Sequence, residues 1–129
     1  MSKLSHIAIV TNNVEELSAL YADLFHVEPV APVSVPDQGV ISGYVPLEGC
    51  GIELMQPTDP DGGIQKFMDK HGPGLHHIAM EVENLDAAEE EYRAKGFRLI
   101  VGTANGHKSV FVHPKSTSGV LIELCPKHR

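Results

Sequence analysis

The apolar positions of this chain change period as it runs. Residues 4–10 form a short apolar run of strand type, in which His6 and Ala8 share one side and Ile7 and Ile9 the other. Thr11-Asn12-Asn13 interrupts it. Asn13 is a good N-cap with Glu16 three residues on, and Val14, Leu17, Leu20, Tyr21 and Leu24 then recur at helical spacing. The pattern predicts an amphipathic helix of about three turns whose stripe of these five residues covers a sheet. A proline-interrupted stretch at 27–35 reads as an edge strand. Pro36-Asp37-Gln38-Gly39 marks a turn, 40–47 a strand, Glu48-Gly49-Cys50-Gly51 a second turn, and 52–55 a strand. A loop at 57–63 and a short helix at 64–70, stopped by His71-Gly72-Pro73-Gly74, complete the first half.

The second half repeats the order. Residues 75–82 read as a strand, and Asn84 caps a helix running to Lys95, with Gly96 as its stop. Strands follow at 97–101, 108–113 and 120–125, separated by an Asn105-Gly106 turn and a loop at 114–119. The repetition extends to individual residues. Leu4-Ser5-His6-Ile7-Ala8 returns as Leu75-His76-His77-Ile78-Ala79, and Gly51-Ile52-Glu53-Leu54-Met55 as Leu121-Ile122-Glu123-Leu124-Cys125. His6 precedes Glu53 by 47 residues and His77 precedes Glu123 by 46. Tyr21 and Tyr92 stand 71 apart, as the two histidines do.

Each copy is therefore a βαβββ module. We expect an α+β fold: two paired modules forming one curved, eight-stranded mixed sheet with helices outside. The chain reads as a single domain over 1–129, with repeats at about 4–56 and 75–125 and a linker at about 57–74. Alternation sends Ile7, Ile9, Ile52, Leu54, Ile78, Ile122 and Leu124 to the helix side. It sends His6, Glu53, His77 and Glu123 to the other.

Size and composition agree with this and narrow the function. A chain of 129 residues with 42% hydrophobic content can bury one core. No apolar run reaches the ~18 residues of a membrane span, and the start of the chain lacks a signal-peptide pattern, so a cytoplasmic protein is expected. Two cysteines make no disulfide framework. A net charge of -7 argues against binding to nucleic acid or to an anionic membrane, while leaving room for a local basic site. Eight histidines favour metal or proton chemistry.

The recurrent pair of His and Glu carries the chemistry. Burying a carboxylate without a partner costs several kcal/mol. Two such Glu at matched places, with two matched His, call for a shared partner, which a divalent cation supplies. The plain alternative places these strands at an edge with all four side chains in water. Two imidazoles and two carboxylates suit Co2+, Mn2+, Ni2+, Zn2+ or Fe2+. Coordination positions left open imply Lewis-acid chemistry on a bound oxygen.

The repeated module with these four residues resembles the vicinal oxygen chelate superfamily (glyoxalases, bleomycin resistance proteins and dioxygenases). Within it the stretches Pro36-Asp37-Gln38-Gly39-Val40, Ile52-Glu53-Leu54-Met55-Gln56-Pro57, Gly74-Leu75-His76-His77-Ile78-Ala79 and His113-Pro114-Lys115-Ser116 are most similar to the methylmalonyl-CoA epimerases. By that resemblance His6, Glu53, His77 and Glu123 match the metal ligands, with Co2+ or Mn2+ first and Zn2+, Ni2+ or Fe2+ behind. His76 points to the opposite side, as a structural or supporting group. The resemblance implies exchange of the α-proton of methylmalonyl-CoA or a similar acyl-CoA through a metal-stabilised enediolate. Glu123 is one base and Glu53, its mate in the repeat, the second. Lys115 and Ser116 are candidates for the substrate's carboxylate or a CoA phosphate, and Gln38 for a contact from the other side. Lys66 and Lys70 read as a solvated face. One departure stands out: Ser42 occupies the place, three residues after Gln-Gly, where a bacterial member carries a Glu proposed as a base. The resemblance also implies a homodimer. The competing readings are a glyoxalase I-like lactoylglutathione lyase, a ring-cleaving dioxygenase, and a small-molecule binding protein of the same superfamily.

Overall fold

Strand pairing organises the protein. The computed structural model describes residues 2–104 and 106–127, so Asn105 of the anticipated turn lies outside the described residues. The strands are β1 (Leu4–Val10), β2 (Val33–Val35), β3 (Val40–Val45), β4 (Gly51–Pro57), β5 (Gly74–Val82), β6 (Leu99–Ala104), β7 (His107–Val112) and β8 (Ile122–Pro126). The helices are α1 (Val14–Phe25), α2 (Gly63–His71) and α3 (Leu85–Ala94). The eight strands form one mixed sheet in the order β2-β3-β4-β1-β5-β8-β7-β6, the predicted α+β architecture. β5 and β8 run parallel, while β2·β3, β3·β4, β6·β7 and β7·β8 are antiparallel. The chain divides into two compact units, Ile7–His76 and Met1–His6 with His77–Arg129.

In the first unit, the Asn13 side chain caps α1 by accepting from Glu16 N at 3.0 Å. The buried face of α1 differs from the predicted stripe. Val14, Ser18 and Ala22 are buried, with Leu17 and Tyr21 beside them, against Val45, Ile52 and Leu54. Leu20 and Leu24 are 57% and 63% exposed. Small residues at 18 and 22 let the helix lie close to the sheet, which turns Leu20 and Leu24 outward. The edge strand predicted for 27–35 shrinks to Val33–Val35, because Pro29 and Pro32 have no N–H to give to a ladder. Among the turns, Gly39 takes φ 63°, and its carbonyl accepts from Thr58 N at 2.8 Å.

The helix of the joining stretch is more than a spacer. Met68 of α2 is buried with Ala8, Val10, Val40 and Met55, and Ile64 and Phe67 pack on the same cluster. Met55 alternates with Leu54, and Leu54 packs toward α1. By the two-residue period α2 therefore covers the side of β4 that carries Glu53, at the Met55 end.

In the second unit, Asn84 caps α3 by accepting from Ala87 N at 2.9 Å. Ala88, Val110, Val112 and Leu124 form the core under α3, and Met80, Tyr92 and Ile122 pack against it. Lys108 of β7 is paired with Asp86 and Glu89 of α3. The strand predicted at 97–101 begins instead at Leu99. Gly96 at φ 91° and a hydrogen bond from Phe97 N to Tyr92 O at 3.0 Å keep those residues in the helix cap. No helix among the described residues is long and apolar enough to cross a membrane.

Candidate metal centre

Three of the four predicted ligands converge within the second unit. The β5·β8 register sets Ala79 beside Glu123, so His77, two residues before Ala79, projects from the same side as Glu123. His6 comes from the start of β1. Its Nε2 lies 3.3 Å from Glu123 Oε1, His77 Nε2 lies 3.2 Å from the same oxygen, and the two Nε2 atoms are 3.4 Å apart. Ligands held about 2.1 Å from one ion sit roughly 3.0–3.4 Å from each other in octahedral or tetrahedral arrangement. The triangle thus has the dimensions of three donors to one divalent ion, and two imidazoles with a carboxylate are a donor set that such ions accept.

The surroundings reinforce the arrangement. His77 is 4% exposed. Its ring meets Phe111 edge-on, with centroids 5.3 Å apart, and Phe111 is the cross-strand neighbour of Glu123. His6 Nδ1 lies 3.2 Å from Ser5 Oγ, which in turn lies 3.5 Å from Cys125 Sγ. A Ser5 contact at Nδ1 orients the ring and leaves Nε2 for the ligand. Burial works to raise the pKa of Glu123, but hydrogen bonds from His6 and His77 outweigh it and hold the carboxyl at about 2. At neutral pH this group is a carboxylate.

Glu53 lies on β4 in the first unit, directly across from Tyr44 of β3. The Tyr44 ring, 42% exposed, lies over Gly51: a Cβ at residue 51 would stand 1.9 Å from the Tyr44 hydroxyl oxygen. Only glycine admits the ring there. Ser42 pairs with Met55, one row along from Tyr44 and Glu53, and shares their side of the sheet. The position where the resemblance would put a second base thus does lie on the Glu53 side.

The remaining candidates are spread over the turns. Gln38 closes the 3-10 turn Pro36–Gln38 and is half-buried. Lys115 is exposed in the 3-10 turn Pro114–Ser116. The Ser116 hydroxyl accepts from Arg98 N at 2.9 Å, so it holds the start of β6. His76 packs its ring against Phe67 of α2, with centroids 4.6 Å apart, which is a structural contact. Lys66 and Lys70 are exposed. A cavity of about 570 Å³ beside α3, lined by Lys3, Glu81, Tyr92 and Lys127 among others, includes none of the candidate ligands. Ser5, Phe111 and Arg98 carried no signal that was read from the sequence, though Phe111 was within reach, since a hairpin register sets it opposite a predicted ligand.

Residues 5–112 match the Glyoxalase/Bleomycin resistance protein/Dioxygenase superfamily. The mitochondrial methylmalonyl-CoA epimerase of Dictyostelium discoideum is 38% identical, over 96% of this chain and 78% of its own length. The ethylmalonyl-CoA/methylmalonyl-CoA epimerase of Cereibacter sphaeroides is 34% identical, over 96% of this chain and 97% of its own. The crystal structure of methylmalonyl-CoA epimerase from Mycobacterium tuberculosis superposes with a TM-score of 0.84 at 32% identity, covering 98% of this chain and 89% of that one.

Proposed function

We propose, because the chain belongs to the glyoxalase/bleomycin resistance protein/dioxygenase superfamily and within it to the methylmalonyl-CoA epimerases, that it epimerises methylmalonyl-CoA or a close 2-substituted malonyl-CoA by α-proton exchange. The chain is an isomerase of the epimerase kind; the substrate and the roles of its residues are our reading. One observation carries that reading: the His6, His77 and Glu123 donor atoms stand within 3.2–3.4 Å of one another.

His6, His77 and Glu123 would hold a divalent ion, Co2+ or Mn2+ before others, and the repeat assigns Glu53 as the fourth ligand. Such an ion supplies Lewis-acid stabilisation of the negative charge that builds on the substrate's oxygens when the α-proton leaves. Glu123 acts as the base. A carboxyl held at about 2 is ionised at neutral pH but a weak base, so Glu123 must loosen from His6 and His77 to regain the basicity that taking the α-proton needs. Glu53, the mate of Glu123 in the repeat, is assigned to the proton transfer on the opposite face of that carbon, because Ser42 has no basicity near neutral pH. Gln38 and the turn carrying Lys115 and Ser116 contribute the substrate contacts. Buried Ala79 and the half-buried Phe111 ring put apolar surface beside Glu123, which strengthens each electrostatic contact there. A homodimer working in the cytoplasm, away from membranes and nucleic acid, belongs to the same reading and suits a net charge of -7.

The test is deuterium uptake at C2 of methylmalonyl-CoA in D2O, with Co2+-loaded and with EDTA-stripped protein. Uptake that needs the metal and disappears in Glu123→Gln supports the reading. A folded, fully metallated protein that leaves C2 unlabelled ends it. Epimerisation at the wild-type rate in Glu53→Gln removes Glu53 from the proton transfer.

A further inference from the structure

We infer that the outer edge of β6 is an interface: it pairs antiparallel with β6 of a second copy of this chain, about a twofold axis at Val101, and joins two sheets into one. The inference rests on the homodimer in the reading above and gives that dimer a surface.

The two edges of the sheet are unlike. β2 and β6 end the strand order. β2 is three residues long, with Pro32 before it and Pro36 after it, and prolines guard an edge because they cannot donate to a ladder. β6 carries six residues, Leu-Ile-Val-Gly-Thr-Ala, with no charge and no proline, in a register of six unbroken pairs with β7. Ile100 and Val101 are each 45% exposed, and Gly102 and Thr103 are exposed beside them. An apolar edge without lysine, proline or bulge is a template for another strand.

The hydrogen-bonding phase of that edge is fixed. His113 N donates to Arg98 O at 2.8 Å, so the backbone groups of Arg98 point toward β7. By alternation those of Ile100, Gly102 and Ala104 do the same. The N–H and C=O of Leu99, Val101 and Thr103 therefore point past the edge, where no strand stands among the described residues.

The order of side chains selects a second copy as the strand that meets them. An antiparallel pairing centred on Val101 sets Val101 against itself and Leu99 against Thr103, and these pairs exchange about six backbone hydrogen bonds. It also sets Ile100 against Gly102. A Cβ added at Gly102 would find no atom within 4 Å, so the space beside it is open to an isoleucine from across the edge. The pairing brings no like charges face to face, although the chain carries a net charge of -7. The nearest cation along the strand, Arg98, falls opposite Ala104. The joined sheet continues the side that carries the metal ligands, because Ile100 faces Phe111 and Phe111 faces Glu123.

Sedimentation equilibrium of the full chain over a micromolar concentration series tests the surface, with Val101→Lys as the variant. Two lysines would then meet on the axis, so the dimer dissociation constant is expected to rise about tenfold or more, with circular dichroism unchanged. A second measurement does not depend on how that variant folds. In a Cys50→Ser background, Val101→Cys should cross-link two chains under mild oxidation, since opposed residues of a hydrogen-bonded pair lie about 5.5 Å apart at Cα. Thr103→Cys should not, because its two copies stand roughly 14 Å apart in this register. Equal cross-linking at 101 and 103 would overturn the register and with it the proposal. A folded Val101→Lys protein that dimerises as tightly as wild type, without cross-linking through Val101→Cys, would keep the dimer and refute this surface. A wild-type chain that stays monomeric would refute both. Growth beyond two copies would overturn it as well, since twofold pairing at one edge closes with the second chain.

Discussion

Replacing Glu123 by Gln should change the acid stability of the metal-free protein in a calculable way. In the folded protein the carboxyl sits at about 2 rather than 4.5. Burial alone would push it upward; the hydrogen bonds from His6 and His77 reverse that. Each tenfold difference in proton affinity is worth about 1.4 kcal/mol, so the ionised Glu123 with its two partners contributes about 3 kcal/mol to folding at neutral pH. Because the folded pKa is depressed, the unfolded chain binds the proton first on acidification. The contribution is therefore whole above about pH 4.5 and is lost as the pH falls toward 2, with roughly half gone near pH 3. Urea unfolding of EDTA-treated wild type and Glu123→Gln, at a series of pH values from 7 to 2.5, isolates the linked Glu123, His6 and His77 group, since the titrating groups remote from it are common to both. The stability gap between the two proteins should narrow by about 2–3 kcal/mol across that range. A gap that stays constant would show that the two histidines do not hold the Glu123 charge, and the triangle of donors would lose its energetic basis.

Other substitutions probe the scaffold and the support of the site. Ser5→Ala, which removes the contact at His6 Nδ1, should weaken Co2+ binding by about tenfold or more in a competition titration, without a matching loss of stability. Leu54→Ala, at a fully buried position under α1, should cost about 2–5 kcal/mol in urea unfolding. Asn84→Ala, which takes the cap from Ala87 N, should cost about 1 kcal/mol by the same measurement. His26 ends α1 in the left-handed region at φ 58°, where a side chain is strained, so His26→Gly should stabilise by roughly 0.5–1 kcal/mol.

The sequence by itself determined the elements and the faces they present. Strand alternation places His77 and Glu123 on one side of their strands, because side chains on an extended backbone must alternate. That is why a repeated His and Glu could be read as a site before any strand was paired. Asn13 and Asn84 announced their helices because a cap is a local hydrogen bond, made within three residues. Tertiary structure decided what depends on neighbours remote in the chain. Leu20 and Leu24 fit the helical period as well as Ser18 and Ala22 do, and only the close approach of α1 to the sheet chose the small pair for burial. The hydroxyl of Ser116 gained Arg98 N, eighteen residues away, as a donor only through the fold. Tyr44 acquired its place over Gly51, and Phe111 its place against His77, from hairpin register. The packing of α2 on the Glu53 side of β4 likewise rests on apolar contacts between segments that no local pattern links. Propensity and period act over a few residues, whereas packing is settled by shape and by the free energy of burial across the whole fold.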